Sequence, residues 1–319
     1  MPTDPALSVV LASSGSFANI RTTVYYLKQQ TIAAQIELII VAPTTSDFGL
    51  PSDAVAAFYG VKLIGLGRLL PISYANAEGV RYASGPVIVF AEDHALPEED
   101  WAQALLGRHQ DGYAVVGPAV RNANPTTAVS WADFFLSYGP WRLGRSGGEV
   151  RMLPGHNSSY KKSILVDQGD NLAASLEAES VFHEALRKKS ERLFFEPRAI
   201  IAHLNFARLG VLLQVQFHYG RNYAARRCAS WSLWKRLIYF LGSPMIPLVR
   251  LVRIFNQGFE IRNGPPLWRV LAVLVADLVA DGLGQTLGYL CGSGRSAEIL
   301  INYEYDRVRF VLSSELPAP

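Results

Sequence analysis

A mostly parallel α/β sheet with flanking helices, followed by a helical C-terminal extension, is the fold this sequence predicts. Three observations carry that reading. Short β-rich runs alternate with helix-like stretches over the first two hundred residues. After about residue 205 the strand pattern stops, and long apolar stretches interrupted by arginine take over. The chain, 319 residues with 50% hydrophobic content, can bury a sizeable core and exceeds the usual length of one domain. The expected division is therefore an α/β domain over residues 1–205 and a helical, basic region over 206–319.

The elements follow in order. LSVVLA (7–12) is a β-rich apolar run that ends at Ser13 and Ser14, and NIRTTVYYLKQQ behind it spaces its apolar residues by three and four, as one face of a helix does. IELIIVA (36–42) and VKLIG (61–65) are the next strands. DAVAAFY and SYANAEGVRYAS are the helices before and after VKLIG. PVIVFA (86–91) is the fourth strand. Pro97 followed by Glu98, Glu99 and Asp100 predicts a helix start, because proline fits the first turn and acids complement its partial positive charge; EEDWAQALLGRHQ continues that helix. YAVVG (113–117) is the fifth strand.

The fourth strand runs into three consecutive ionisable side chains, Glu92, Asp93 and His94. Charges at a strand end cost free energy unless something there uses them, and open α/β sheets bind ligands at the carboxyl ends of their strands. The triplet therefore marks the expected ligand crevice.

Composition narrows the classes. Cys228 and Cys291 have no CxxC spacing and form no disulfide framework, which suits a reducing compartment and disfavours a structural zinc site. Asp4 stands where an export signal needs positive charge, so we expect a cytoplasmic protein. Residues 198–270 hold eleven Lys or Arg against Glu260 alone, a net +10, so the remainder of a chain with net charge +3 carries −7. Those arginines alternate with Leu, Ile, Phe and proline, a composition nearer to a membrane-surface element than to a nucleic-acid patch.

Several familiar patterns fail. GLGRLL (65–70) has two glycines of a dinucleotide fingerprint and opens no helix, and FHEAL (182–186) has Arg187 where a zinc protease needs its second histidine. PGHNSSY (154–160) lacks nucleophile-elbow spacing, so Ser158 and Ser159 read as backbone-bonding residues.

What remains is an order of segments. The triplet is followed by LPGHNSSYKKSIL, a glycine turn entering a helix, and then by LEAESVFHEALRKKSERLFFEPRAIIAH, which places Glu177 and Glu179 at a helix start, then a short strand, Pro197, and His203 at the end of another apolar run. With SYANAEGVRYASG ahead of the triplet, this order resembles glycosyltransferase family 2, inverting nucleotide-sugar enzymes of the GT-A fold, across about residues 7–205. The resemblance implies a hexosyltransferase with a nucleotide-sugar donor and a divalent cation, Mn2+ or Mg2+. It implies donor contacts at Ser13, Ser14, Asn76, Glu92, Gly155 and His156, metal ligation by Asp93 or His94 with His203, and a general base at Glu179, with Glu177 as the alternative. Imidazole suits softer divalent ions better than magnesium, which favours manganese, with Asp93 as ligand and Glu92 on the ribose.

One departure stands out. Where the family's second strand runs into a pair of aspartates that grip the nucleoside, IIVAPTTSD offers Ala42 and Pro43. A second reading is therefore a catalytically silent nucleotide-sugar-binding or scaffolding protein of the same fold. A third is a metal-dependent hydrolase built on His94, His156 and His203.

The C-terminal region adds partners. LIYFLGSPMIPLV (237–249) is too short to span a bilayer, which needs ~20 residues, and LWRVLAVLVADLVADGLGQTLGYL (267–290) carries Asp277 and Asp281 one turn apart. In PLVRLVRIF, Leu248, Leu251, Val252 and Phe255 recur at helical spacing, with Arg250 and Arg253 placed to reach headgroups. We expect peripheral or monotopic attachment to an anionic membrane surface on its inner face, with a lipid-linked acceptor. A homodimer interface is the alternative use of these helices, and no nucleic-acid partner is expected.

Overall fold

The computed structural model describes residues 4–261 and 264–316; Arg262, counted in the basic segment, lies outside them. Contacts divide the chain into two compact units, residues 4–121 with 141–203, and residues 122–140 with 204–316.

The first unit is a nine-stranded sheet with helices. In chain order its elements are β1 (Leu7–Ala12), α1 (Phe17–Lys28), β2 (Ile36–Ala42), α2 (Ser52–Val55), β3 (Gly60–Gly65), α3 (Ile72–Tyr82), β4 (Val87–Ala91), β5 (Ala95–Pro97), α4 (Trp101–Gln110) and β6 (Val115–Asn122). After α5 (Ala128–Tyr138), which belongs to the second unit, come β7 (Gly148–Glu149), β8 (Ser159–Lys161), α6 (Lys162–Val166), α7 (Leu172–Glu177), α8 (Glu179–Lys188) and β9 (Leu193–His203). The sheet order is β3-β2-β1-β4-β8-β6-β9-β5, with β7 on β9. Strands β3, β2, β1 and β4 are parallel, and β8 pairs antiparallel with β4 and β6. The sheet is thus mostly parallel at one side and mixed at the other, flanked by helices, as expected. Strands β1, β2 and β4 are buried at every position, which is why their apolar runs do not alternate.

Two local expectations change. Pro97 closes the short strand β5 instead of opening a helix, and α4 begins at Trp101 behind Asp100. Three residues are too few for a strand pattern, but β5 pairs antiparallel with β9, setting Ala95 opposite His203. The apolar run before Pro197 and the run ending at His203 are one strand, β9, and Pro197 lies between its β7-paired and β5-paired parts.

In the second unit, α9 (Leu209–Arg227), α10 (Leu233–Gly242), α11 (Ile246–Gln257), α12 (Leu267–Cys291) and α13 (Ser296–Glu304) accompany α5. Residues 122–140 belong here through side-chain bonds that no periodicity announces. Asn124 Nδ2 donates to Asn205 O at 2.9 Å, Asn205 N donates to Asn124 Oδ1 at 2.8 Å, and Phe206 N donates to Asp133 Oδ2 at 2.9 Å. Helices α9 and α12 lie close enough that a Cβ on Gly284 would collide with Phe217 O, so glycine sets their separation.

Candidate active site

The chain runs from β1 to β2 on one side and returns at β4 on the other side of β1. The carboxyl ends of β1 and β4 are therefore a topological switch point, where ligands of α/β sheets bind. Ser13 and Ser14 follow β1, and the Glu92–Asp93–His94 triplet follows β4.

The triplet is buried and held by its neighbours. Thr23 Oγ1 on α1 donates to Glu92 O at 3.1 Å, and Asn157 N donates to Phe90 O at 2.6 Å. Asn157 adopts φ 61°, a conformation that asparagine tolerates, and turns Nδ2 onto Glu92 Oε2 at 2.7 Å. Asp93 Oδ1 lies 2.6 Å from His94 Nδ1. That contact places the ring hydrogen on Nδ1 and leaves the Nε2 lone pair directed away from Asp93. Pairing of β5 with β9 brings His203 beside His94, with ring centroids 4.8 Å apart. Glu92 lies between the two rings, Oε1 at 3.5 Å from His94 Nε2 and Oε2 at 3.6 Å from His203 Nε2.

Glu92, His94 and His203 thus offer one carboxylate and two imidazole nitrogens within 4.8 Å of one another, all buried. His94 Nε2 has no hydrogen-bond partner among the described residues. Two imidazoles and a carboxylate suit a transition-metal dication better than magnesium, so the residues present fit a divalent metal of that kind. The set contains the expected His94 and His203 together with Glu92, which the sequence reading placed on the ribose, while Asp93 meets His94 Nδ1.

His156 links this cluster to the next. Its Nδ1 is 3.8 Å from Glu92 Oε1 and its Nε2 is 3.7 Å from Glu179 Oε1. Glu179 is the first residue of α8 and its carboxylate lies over Gly155, in the space a Cβ there would take. Glu177 instead ends α7, so the two glutamates do not share a helix start. Behind Glu179, the buried Tyr160 Oη meets His183 Nε2 at 3.0 Å. Burial raises the Tyr160 pKa well above its ordinary value, and the nearby Glu179 charge adds to this.

The remaining expected residues have separate settings. Ser13 Oγ donates to Ser16 O at 3.1 Å and so closes the loop after β1; Ser14 is half-buried. Asn76 is buried on α3, and neither its Oδ1 nor Ser73 Oγ one turn earlier has a bonding partner among the described residues. Ser158 Oγ donates to Pro154 O and Ser159 Oγ to Val116 O, which fits their backbone-bonding reading. Sequence reasoning missed Asn157 and Thr23. An asparagine directly after Gly155–His156 was the available signal for the first; Thr23 had none.

The family model for Glycosyl transferase family 2 matches residues 8–168, half of the chain. The chain belongs to glycosyltransferase family 2. The matched span includes the switch point, the triplet and the Gly155–Asn157 turn. Glucosyl-dolichyl phosphate glucuronosyltransferase of Haloferax volcanii is 27% identical over 154 residues, covering 42% of this chain and 48% of that protein. The chain thus spans about half the length of this curated relative. Among solved structures, GalNAc-T7 with UDP, GalNAc and Mn2+ aligns with TM-score 0.47 at 14% identity, over 62% of this chain and 43% of that one. Staphylococcus aureus TarS aligns with TM-score 0.44 at 14% identity, over 91% and 55%.

Proposed function

We propose that this family 2 member transfers a sugar from a nucleotide-sugar donor to a hydroxyl of a lipid-linked acceptor, with inversion, at the cytoplasmic face of a membrane. One observation carries the reading: a buried carboxylate–bis-imidazole cluster, Glu92, His94 and His203, at the switch point of a family 2 chain, joined through His156 to a second carboxylate, Glu179. The lipid-linked acceptor is suggested by the Haloferax relative, a glucosyl-dolichyl phosphate glucuronosyltransferase.

Each group has a task in this reading. Glu92, His94 and His203 would hold a divalent cation, which would supply positive charge to stabilise the departing diphosphate. Asp93 keeps the His94 ring turned for that role. Ser13, Ser14 and Asn76 line the donor side; with Ala42 and Pro43 in place of nucleoside-binding aspartates, the base is held by other groups. Glu179 accepts the proton of the acceptor hydroxyl, the freed oxygen attacks the anomeric carbon, and the bond to the diphosphate breaks on the opposite face. No covalent enzyme intermediate forms. The division at residue 205 separates these catalytic parts from the C-terminal region in this proposal.

A screen of nucleotide sugars by thermal shift, with and without manganese, tests donor binding, because a ligand of the native state raises stability by mass action. A stabilising donor should then be turned over, and Glu179→Gln should lower kcat by ~10² or more with donor affinity little changed. Donor binding without turnover would favour the silent-protein reading. Tight zinc binding with no nucleotide affinity would favour the hydrolase.

A further inference from the structure

One helix of the second unit turns an apolar face outward while carrying charge on its inner side. Helix α12 buries Asp277, Asp281 and Gln285 alongside Val270, Leu274 and Leu278, and exposes Trp268, Val275, Val279, Leu283 and Leu287 at spacings of seven and four. Asp277 is 0% exposed, and neither carboxylate oxygen has a hydrogen-bond partner among the described residues. Asp281 takes Arg250 at 2.5 Å and Gln285 at 2.8 Å. Arg250 therefore faces inward, unlike the headgroup role expected for it, while Arg253 stays exposed. In water an amphipathic helix does the opposite: it buries its apolar face and exposes its polar one.

The same side continues on α10 and α11. Residues 233–257 are a 25-residue apolar stretch, helical throughout and largely exposed. Trp234, Ile238, Leu241, Met245, Leu248 and Val252 recur at three- and four-residue spacing, so one stripe runs through both helices; Trp234 is 77% exposed. An exposed apolar surface of this extent in one unit marks an interaction site.

We propose that the outer faces of α10, α11 and α12 form a lipid-contacting platform that lies in the plane of an anionic bilayer. The inference rests on the membrane half of the reading above and is independent of the transfer chemistry. Charge chooses lipid over a second copy of the chain. Lys235, Arg253 and Arg269 are exposed on these helices, and Glu260 is the only exposed acid among the described residues 204–291. Two copies apposed through this face would bring like charges together, whereas an anionic leaflet attracts each basic residue. The in-plane orientation follows from α9, which packs along the inner side of α12 and exposes Gln214, Arg226 and Arg227. With 25 residues, ~37 Å at 1.5 Å per residue, α12 has the length to cross a ~30 Å hydrocarbon core, but its α9-covered side would carry these polar groups into it.

The full chain is floated with sealed phosphatidylglycerol vesicles and with phosphatidylcholine vesicles, without donor or acceptor, so the outcome does not depend on transfer. We expect flotation with the anionic vesicles that survives partly at 1 M salt, and its loss in Ile238→Glu/Leu241→Glu/Val252→Glu with the far-UV spectrum preserved. Lys235→Gln/Arg253→Gln/Arg269→Gln should keep the fold and weaken flotation at low salt, a milder variant should the first misfold. An impermeant maleimide added to the sealed vesicles should label both Pro266→Cys and Ser293→Cys, placed at the two ends of α12 in a Cys291→Ser background. A chain that stays in the soluble fraction, or a dimer that the glutamate variant dissociates without any lipid binding, overturns the platform. Labelling at only one end of α12 overturns the in-plane placement.

Discussion

Gly155 and Glu179 compete for the same space. A Cβ at position 155 would fall within the Glu179 carboxylate, the movable end of a flexible side chain, so Gly155→Ala should displace the carboxylate and leave the backbone alone. The expected outcome is turnover lowered by ~10² with thermal stability nearly unchanged, since general-base contributions run ~10²–10⁴. Full turnover in the alanine variant would mean that Glu179 acts from another position or not at all. The triplet yields a second residue-scale test. Because Glu92 lies among the two imidazoles and Asp93 acts through His94, Glu92→Gln should nearly abolish manganese binding, whereas Asp93→Asn should weaken it ~10–100-fold. Titration calorimetry with the metal alone reads both, and the reverse ranking would restore Asp93 as the ligand.

Helix α8 is tied to β8 and to the turn before it by one neutral imidazole. His183 Nδ1 accepts from Leu153 N at 3.4 Å and Nε2 faces Tyr160 Oη at 3.0 Å, so a second proton on Nδ1 would oppose an N–H donor. Burial lowers the His183 pKa from 6.5 to about 4, and burial does the same to His109, about 4, on α4. The sign follows from linkage: the unfolded chain binds the proton near pH 6.5 and the folded one only near pH 4. Stability is therefore full above pH 6.5 and is lost as pH falls towards 4. His183→Gln keeps a donor and an acceptor without a charge, so its loss of melting temperature between about pH 7 and pH 4.5 should be smaller than that of the parent. An equal loss would remove His183 from the acid response.

Each unit has its own core, the sheet strands in one and a cluster around Ala224, Cys228 and Tyr289 in the other. A donor bound at the switch point contacts the first unit, so calorimetry with manganese and a binding nucleotide sugar should raise one transition and leave the other in place. A single transition that rises as a whole would show that the two units unfold together.

Taken alone, the amino-acid order determined the parallel strands, the charged triplet after the fourth of them, the glycine turn and the change of character near residue 205. These are local signals: apolar runs, turn residues and the sequence of motifs all survive without knowledge of what touches what. Tertiary structure alone decided which of the charged residues meet. Strand β5 is three residues long, too short for any periodicity, yet its pairing with β9 brings His94 to His203 beside Glu92. The same holds for Arg250, whose spacing suits a headgroup but which Asp281 turns inward, and for residues 122–140, claimed for the helical unit by Asn124, Asp133 and Asn205. The physical reason is common to all three. A buried charge or amide goes where a partner satisfies it, and that partner lies far away in sequence, where no local pattern records it.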